Sequence, residues 1–133
     1  MADAATLVAD NPRTTFVLIH AGMLVDREEE TVRRWRAGMR RLAELPNVVV
    51  KLTGQGTFVH RLDPDLLRLT VDEVMQLFGP QRALFGTNFP VEKLWTTMPL
   101  LVEAWKDALS GLSLADQTAV FAGNTRRVYG LNP

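Results

Sequence analysis

Three polar residues stand where apolar runs end or are interrupted, and each is of a type that can do chemistry. His20 follows the run Thr14–Ile19 (TTFVLI). An imidazole there can serve as a general acid or base, a metal ligand or an oxyanion donor. It can equally bond a neighbouring carbonyl and do nothing else. Lys51 interrupts Val48–Thr53 (VVVKLT). An unpaired buried ammonium is expensive, so Lys51 either meets a polar cavity, where it could bind an anionic substrate, or carries its charge outward on its stem. Asn88 lies between Gly86 and Pro90, in what must be a sharp turn, where an amide either belongs to a site or merely caps the bend. Glu92, Lys93 and Trp95 follow and could line a pocket mouth, although Trp95 could equally cover helix packing. His60 reads as an exposed or rim residue. Gly54-Gln55-Gly56 lacks the third glycine and the directly following helix of a phosphate loop.

The elements that must position these groups can be read from periodicity. Thr14–Ile19, Val48–Thr53 and Ala83–Gly86 are short apolar runs without alternation, as expected of strands buried on both faces. A helix is expected from an Asp26 N-cap to Pro46, with Val32, Trp35, Met39, Leu42 and Ala43 as its apolar stripe and Glu29–Arg33 and Glu30–Arg34 as ion pairs. Its arginines 33, 34, 36, 40 and 41 read as a solvated face rather than a phosphate site, because the acids upstream offset them. A second helix starts at Asp63-Pro64, with Leu67, Val71, Val74, Met75 and Phe78 inward, and stops at Gly79-Pro80. A third begins near Pro99, with Leu101, Ala104, Trp105 and Ala108 inward. A fourth is capped by Ser113 and ended by Gly130, and residues 1–10 form a short helical turn. The order β-α-β-α-β-α-α predicts an α/β fold of parallel strands alternating with helices, with chemistry at the carboxyl ends of the strands.

Composition narrows the function classes. Fifteen basic and fifteen acidic side chains leave no net charge, which argues against nucleic-acid and anionic-membrane partners. The absence of cysteine excludes disulfides, thiolate catalysis and zinc–thiolate sites. No apolar run approaches the roughly 20 residues of a membrane span, and residues 1–10 lack the features of a signal peptide. A cytoplasmic protein with a small-molecule substrate is expected. The 133 residues form one domain or part of one, yet three central-looking strands make a thin sheet.

The segments FVLIHAG (16–22), NVVVKLTGQG (47–56), FGPQRALFGTNFPVEKLW (78–95) and FAGNTRRVYGL (121–131) resemble the amidohydrolase-related family of TIM-barrel hydrolases, and more narrowly its lactonase-like branch. The resemblance implies the last three β/α units of a (β/α)8 barrel, with residues 1–133 a single partial domain. It implies hydrolysis of a small carboxylated substrate, lactone opening being the best match. His20 falls on the family's metal-binding or carbonyl-polarising histidine, and Asn88 on its usual aspartate, as the two catalytic residues. Lys51, Lys93 and Trp95 are the substrate-binding candidates. An amide cannot take the proton of water, and the family's His-x-His pair is absent. A divalent metal, possible in the family, is therefore disfavoured and no metal ligand is assigned. The partial match leads us to expect a fragment, inactive alone and prone to aggregate, unless an oligomer or a complementing chain completes the barrel. The competing expectation is a non-catalytic remnant or subunit.

Overall fold

The three apolar runs pair as strands in a computed structural model that describes residues 1–131. They are β1 (Phe16–Leu18), β2 (Val48–Leu52) and β3 (Ala83–Phe85), parallel and in the order β1-β2-β3. Phe16 pairs with Val48, and Val50 with Ala83. Helices intervene as expected of a parallel sheet: α1 (Ala2–Asp10), α2 (Glu29–Ala43), α3 (Gly56–Val59), α4 (Pro64–Phe78), α5 (Met98–Ala108), α6 (Leu114–Thr118) and α7 (Asn124–Tyr129). Among the described residues no helix is long and apolar enough to cross a membrane.

Strand alternation sorts the sheet into two faces. Val48, Val50 and Leu52 join one apolar cluster with Trp35, Met39 and Leu42 of α2 and with Leu67, Val71 and Val74 of α4. Val49 and Lys51 take the opposite face, and the apolar run therefore holds a lysine without placing it in that cluster. The helix stripes read from the sequence face the core, with Ala43, Met75, Ala104 and Ala108 only partly covered.

Local chemistry corrects several boundaries. Asp26 does not cap α2: its carboxylate accepts from the Glu28 N–H at 2.9 Å, a turn before the helix, and Glu28 takes the N-cap position. Glu30 gathers both Arg33 (2.5 Å) and Arg34 (3.6 Å), in place of the expected Glu29–Arg33 pair. Arg33, Arg34, Arg40 and Arg41 are exposed, as a solvated face requires, whereas Arg36 crosses to Glu73 on α4. The expected fourth helix is divided. A wider turn of π type, Ala119–Gly123, joins α6 to α7. Beyond it the buried Asn124 donates to the Pro80 and Ala83 carbonyls at 2.7 and 2.8 Å, pinning the start of β3.

At α4, Asp63 accepts the Leu66 N–H at 3.1 Å and Pro64 occupies the first turn. Burial pushes the Asp63 carboxyl up, but the Leu66 N–H, the Arg61 hydrogen bond and the charges of Arg27 and Arg61 outweigh it and hold the group below its ordinary value. Arg82 closes the other end. Its guanidinium donates to the carbonyls of Ala43, Leu45, Leu77 and Phe78 at 3.1–3.4 Å, satisfying the last turn of α4 and the exit of α2 together. Desolvation lowers its pKa. Arg82→Met should therefore lower unfolding free energy by about 2–3 kcal/mol, read by urea titration. An unchanged midpoint would show these carbonyls to be satisfied without it.

Candidate functional site

β1 ends one residue earlier than its apolar run because the chain turns into the left-handed region. His20 (φ 53°), Ala21 (φ 44°), Gly22 (φ 71°) and Met23 (φ 64°) follow in succession. For the three non-glycine residues this costs roughly 1–2 kcal/mol each. Three hydrogen bonds hold the turn. Trp35 Nε1–H donates to the Ala21 carbonyl at 2.8 Å, and Gln55 Nε2 and the Met23 N–H both donate to the His20 carbonyl, at 3.1 and 2.8 Å. His20 thus sits not on the strand but two residues past it.

His20 Nδ1 lies 3.1 Å from the Thr53 carbonyl. A carbonyl only accepts, so this bond assigns the proton to Nδ1 and leaves the Nε2 lone pair for a ligand. The Gly54-Gln55-Gly56 segment explains itself here. A Cβ on Gly54, itself at φ 70°, would overlap the His20 ring, while Gln55 holds the His20 carbonyl. A Cβ on Gly56 would overlap the Trp95 indole and stand 2.7 Å from Glu92 Oε2. The two glycines clear space for side chains rather than for a phosphate.

Asn88 (φ 56°) follows β3, just before the cis Phe89–Pro90 bond. Its Nδ2 donates to Thr57 Oγ1 and Glu92 Oε1, both at 3.3 Å. Glu92 is only 1% exposed, and its Oε2 accepts the Trp95 Nε1–H at 2.6 Å. Lys51 is half-buried near the end of β2. Its stem passes over Gly86, where a Cβ would stand 2.7 Å from Cε, and Nζ lies 5.9 Å from the Tyr129 ring centroid.

His20, Lys51 and Asn88 line one recess of about 440 Å³ at the carboxyl ends of the three strands, with Thr53, Thr87 and Phe89. Lys93 is exposed and outside that lining. Trp95 is also outside it, its indole bound to Glu92 and its ring 5.7 Å from the exposed His60. A larger groove of about 560 Å³ between α2 and α4 is walled by Arg27, paired with Asp63 and Asp65, Arg33, paired with Glu30, Arg36, paired with Glu73, and the exposed Arg40. Glu92 and Thr57 had no signal in the sequence that tied them to Asn88.

Among the described residues no three His, Cys, Asp or Glu side chains converge as a metal site needs. The recess offers one imidazole, one amide and a lysine. That set is too poor in anionic donors to fit a divalent cation by itself.

The glycine seat generates a direct test. Gly54→Ala meets both an unfavourable backbone and the His20 ring, so it should lose about 2 kcal/mol or more. It should also shift the His20 imidazole resonances in an NMR spectrum. A variant of wild-type stability with unmoved His20 signals would remove this role for Gly54.

The model of the amidohydrolase family matches residues 1–131. The chain is 34% identical to an L-fucono-1,5-lactonase of Burkholderia multivorans, over 97% of this chain and 47% of the relative. It is 33% identical to the protein y4mH of Sinorhizobium fredii, over 97% and 43%. A crystal structure of a Burkholderia multivorans amidohydrolase with bound zinc superposes with a TM-score of 0.91 at 30% identity, covering 98% of this chain and 49% of the other. An amidohydrolase from Bifidobacterium longum subsp. infantis gives 0.69 at 28% identity, over 98% and 46%. The chain spans about half the length of the curated relatives it matches. The neighbours are TIM barrels, and the three parallel β/α units correspond to part of that fold. With its family model matched over nearly every residue, the chain belongs to the amidohydrolase family.

Proposed function

We propose that the recess at the strand ends opens lactones of small sugar-type acids by hydrolysis. The observation that carries this reading is the gathering of His20, Lys51 and Asn88 on one recess, and the 34% identity to a lactonase supports it. His20 Nε2, kept free by the Nδ1 bond to Thr53, accepts a proton from water. The Asn88 carboxamide oxygen accepts the second hydrogen and orients that water without deprotonating it.

The water oxygen attacks the lactone carbonyl carbon, and the carbonyl electrons move to oxygen. Collapse breaks the ring C–O bond, and the imidazolium returns its proton to the leaving alkoxide, giving a hydroxy acid. Lys51 supplies positive charge for the developing oxyanion and for a carboxylate, present in the product or carried by the substrate. Lys93, exposed at the surface, is left without a part in this scheme, and Trp95 acts through Glu92 rather than by touching substrate.

A second reading is favoured by one observation: β1 and β3 are both edge strands among the described residues. On it, the three units bind without turnover until further strands, from the same chain or a partner, close the sheet.

Acid release from a panel of sugar-acid lactones tests both. It is measured on this chain and on the complete barrel of which we take it to be part. His20→Ala should lower kcat by about a hundredfold or more in the active form. Equal turnover with and without the imidazole overturns the mechanism. Activity confined to the complete barrel favours the second reading for the shorter chain.

A further inference from the structure

Glu92 is a buried carboxylate to which the scheme above gives no chemical step. Among the described residues no lysine, arginine or histidine forms an ion pair with it, and the neighbouring Lys93 is exposed. Its two oxygens are occupied instead by neutral donors, Asn88 Nδ2 on Oε1 and Trp95 Nε1 on Oε2. A buried charge without a counter-charge is expensive even when it is hydrogen-bonded. A glycine at 56 is moreover needed to admit it.

We propose that Glu92 is the positioning residue of the recess: it decides which end of the Asn88 amide is offered to a ligand. An amide has one donor end and one acceptor end, and nothing in its shape distinguishes them. Here both hydrogens of Nδ2 are used, one by Thr57 and one by Glu92. The reverse orientation would set Oδ1 against Glu92 Oε1, two acceptors about 3.3 Å apart with no hydrogen between them. Trp95 prevents the carboxylate from turning away, because its N–H can only donate and holds Oε2 at 2.6 Å.

Oδ1 is therefore the end left for the recess, and among the described residues no donor reaches it. Asn88 becomes an obligatory acceptor, matched to a water or a substrate hydroxyl and mismatched to a carbonyl or carboxylate. The inference rests on the lactonase reading for its catalytic consequence, and on hydrogen-bond polarity alone for the orientation.

The polarity argument makes a reciprocal prediction. Glu92→Gln brings an amide N–H₂ to Asn88, turns that side chain over and offers Nδ2 to the recess. Asn88→Asp faces two carboxylates together. Combining the two restores one donor and one acceptor across the bond and an acceptor toward the recess. Each single variant should melt about 5 °C below the wild type, and the double variant should recover most of the loss. In the lactone assay a folded Glu92→Gln should lose about tenfold or more in kcat with KM little changed, and the double variant should regain part of it.

Additive losses in melting overturn the pairing. A folded Glu92→Gln with wild-type kcat overturns the positioning role. Should Asn88→Asp not fold, a folded double variant supports the pair and an unfolded one overturns it. If the wild type opens no lactone, the lactonase reading fails, while the melting cycle still decides the orientation of Asn88.

Discussion

The hydrogen bond from Trp35 Nε1 to the Ala21 carbonyl, 2.8 Å long, is the contact on which the rest of the recess depends. It fastens a left-handed turn that L-residues avoid to a helix that packs against the sheet. Trp35 is 5% exposed and belongs to the stripe of α2, so the anchor is set in the main apolar cluster. The strain of residues 20–23 is offset by packing elsewhere, and its effect is local. The chain leaves β1 in a direction that brings the His20 ring to the Thr53 carbonyl and commits its tautomer.

Around that anchor the site is built by clearing space and by matching donors to acceptors. Gly54 makes room for the imidazole and Gly56 for the indole and carboxylate, while Gln55 between them ties the β2 exit to the His20 carbonyl. Gly86 does the same for the Lys51 stem. Among the described residues, His20 and Asn88 each have one end engaged by protein and one end without a partner, at Nδ1 and Nε2 of His20 and at Nδ2 and Oδ1 of Asn88. That division turns a histidine and an asparagine into two acceptors facing one recess.

The short strands fit the same account. β1 and β3 have three residues each, enough to set register but too few to carry side chains to a site by themselves. His20 and Asn88 come instead from the turns just beyond β1 and β3, where both residues have positive φ, while Lys51 stands on the longer β2. The barrels that superpose on this chain share that arrangement of parallel strands and helices, over about half their length.

Much of this was legible in the sequence. Unalternating apolar runs such as VVVKLT marked strands covered on both faces, and the stripes Val32–Trp35–Met39–Leu42 and Leu67–Val71–Val74 marked the helix faces that cover them, because burial imposes a period that composition displays. The meeting of His20, Lys51 and Asn88 at one end follows from parallel topology, whereas the strand order β1-β2-β3 is read from the structure. Tertiary structure decided the rest. Nothing in Ala21 or Met23 favours a positive φ, so the left-handed turn draws on Trp35 and Gln55, distant in the chain, beside the local Met23 N–H bond. The tautomer of His20 and the orientation of Asn88 are choices between near-equal local states. Thr53, Thr57 and Glu92 make those choices, through hydrogen bonds that form only once the strand ends are side by side.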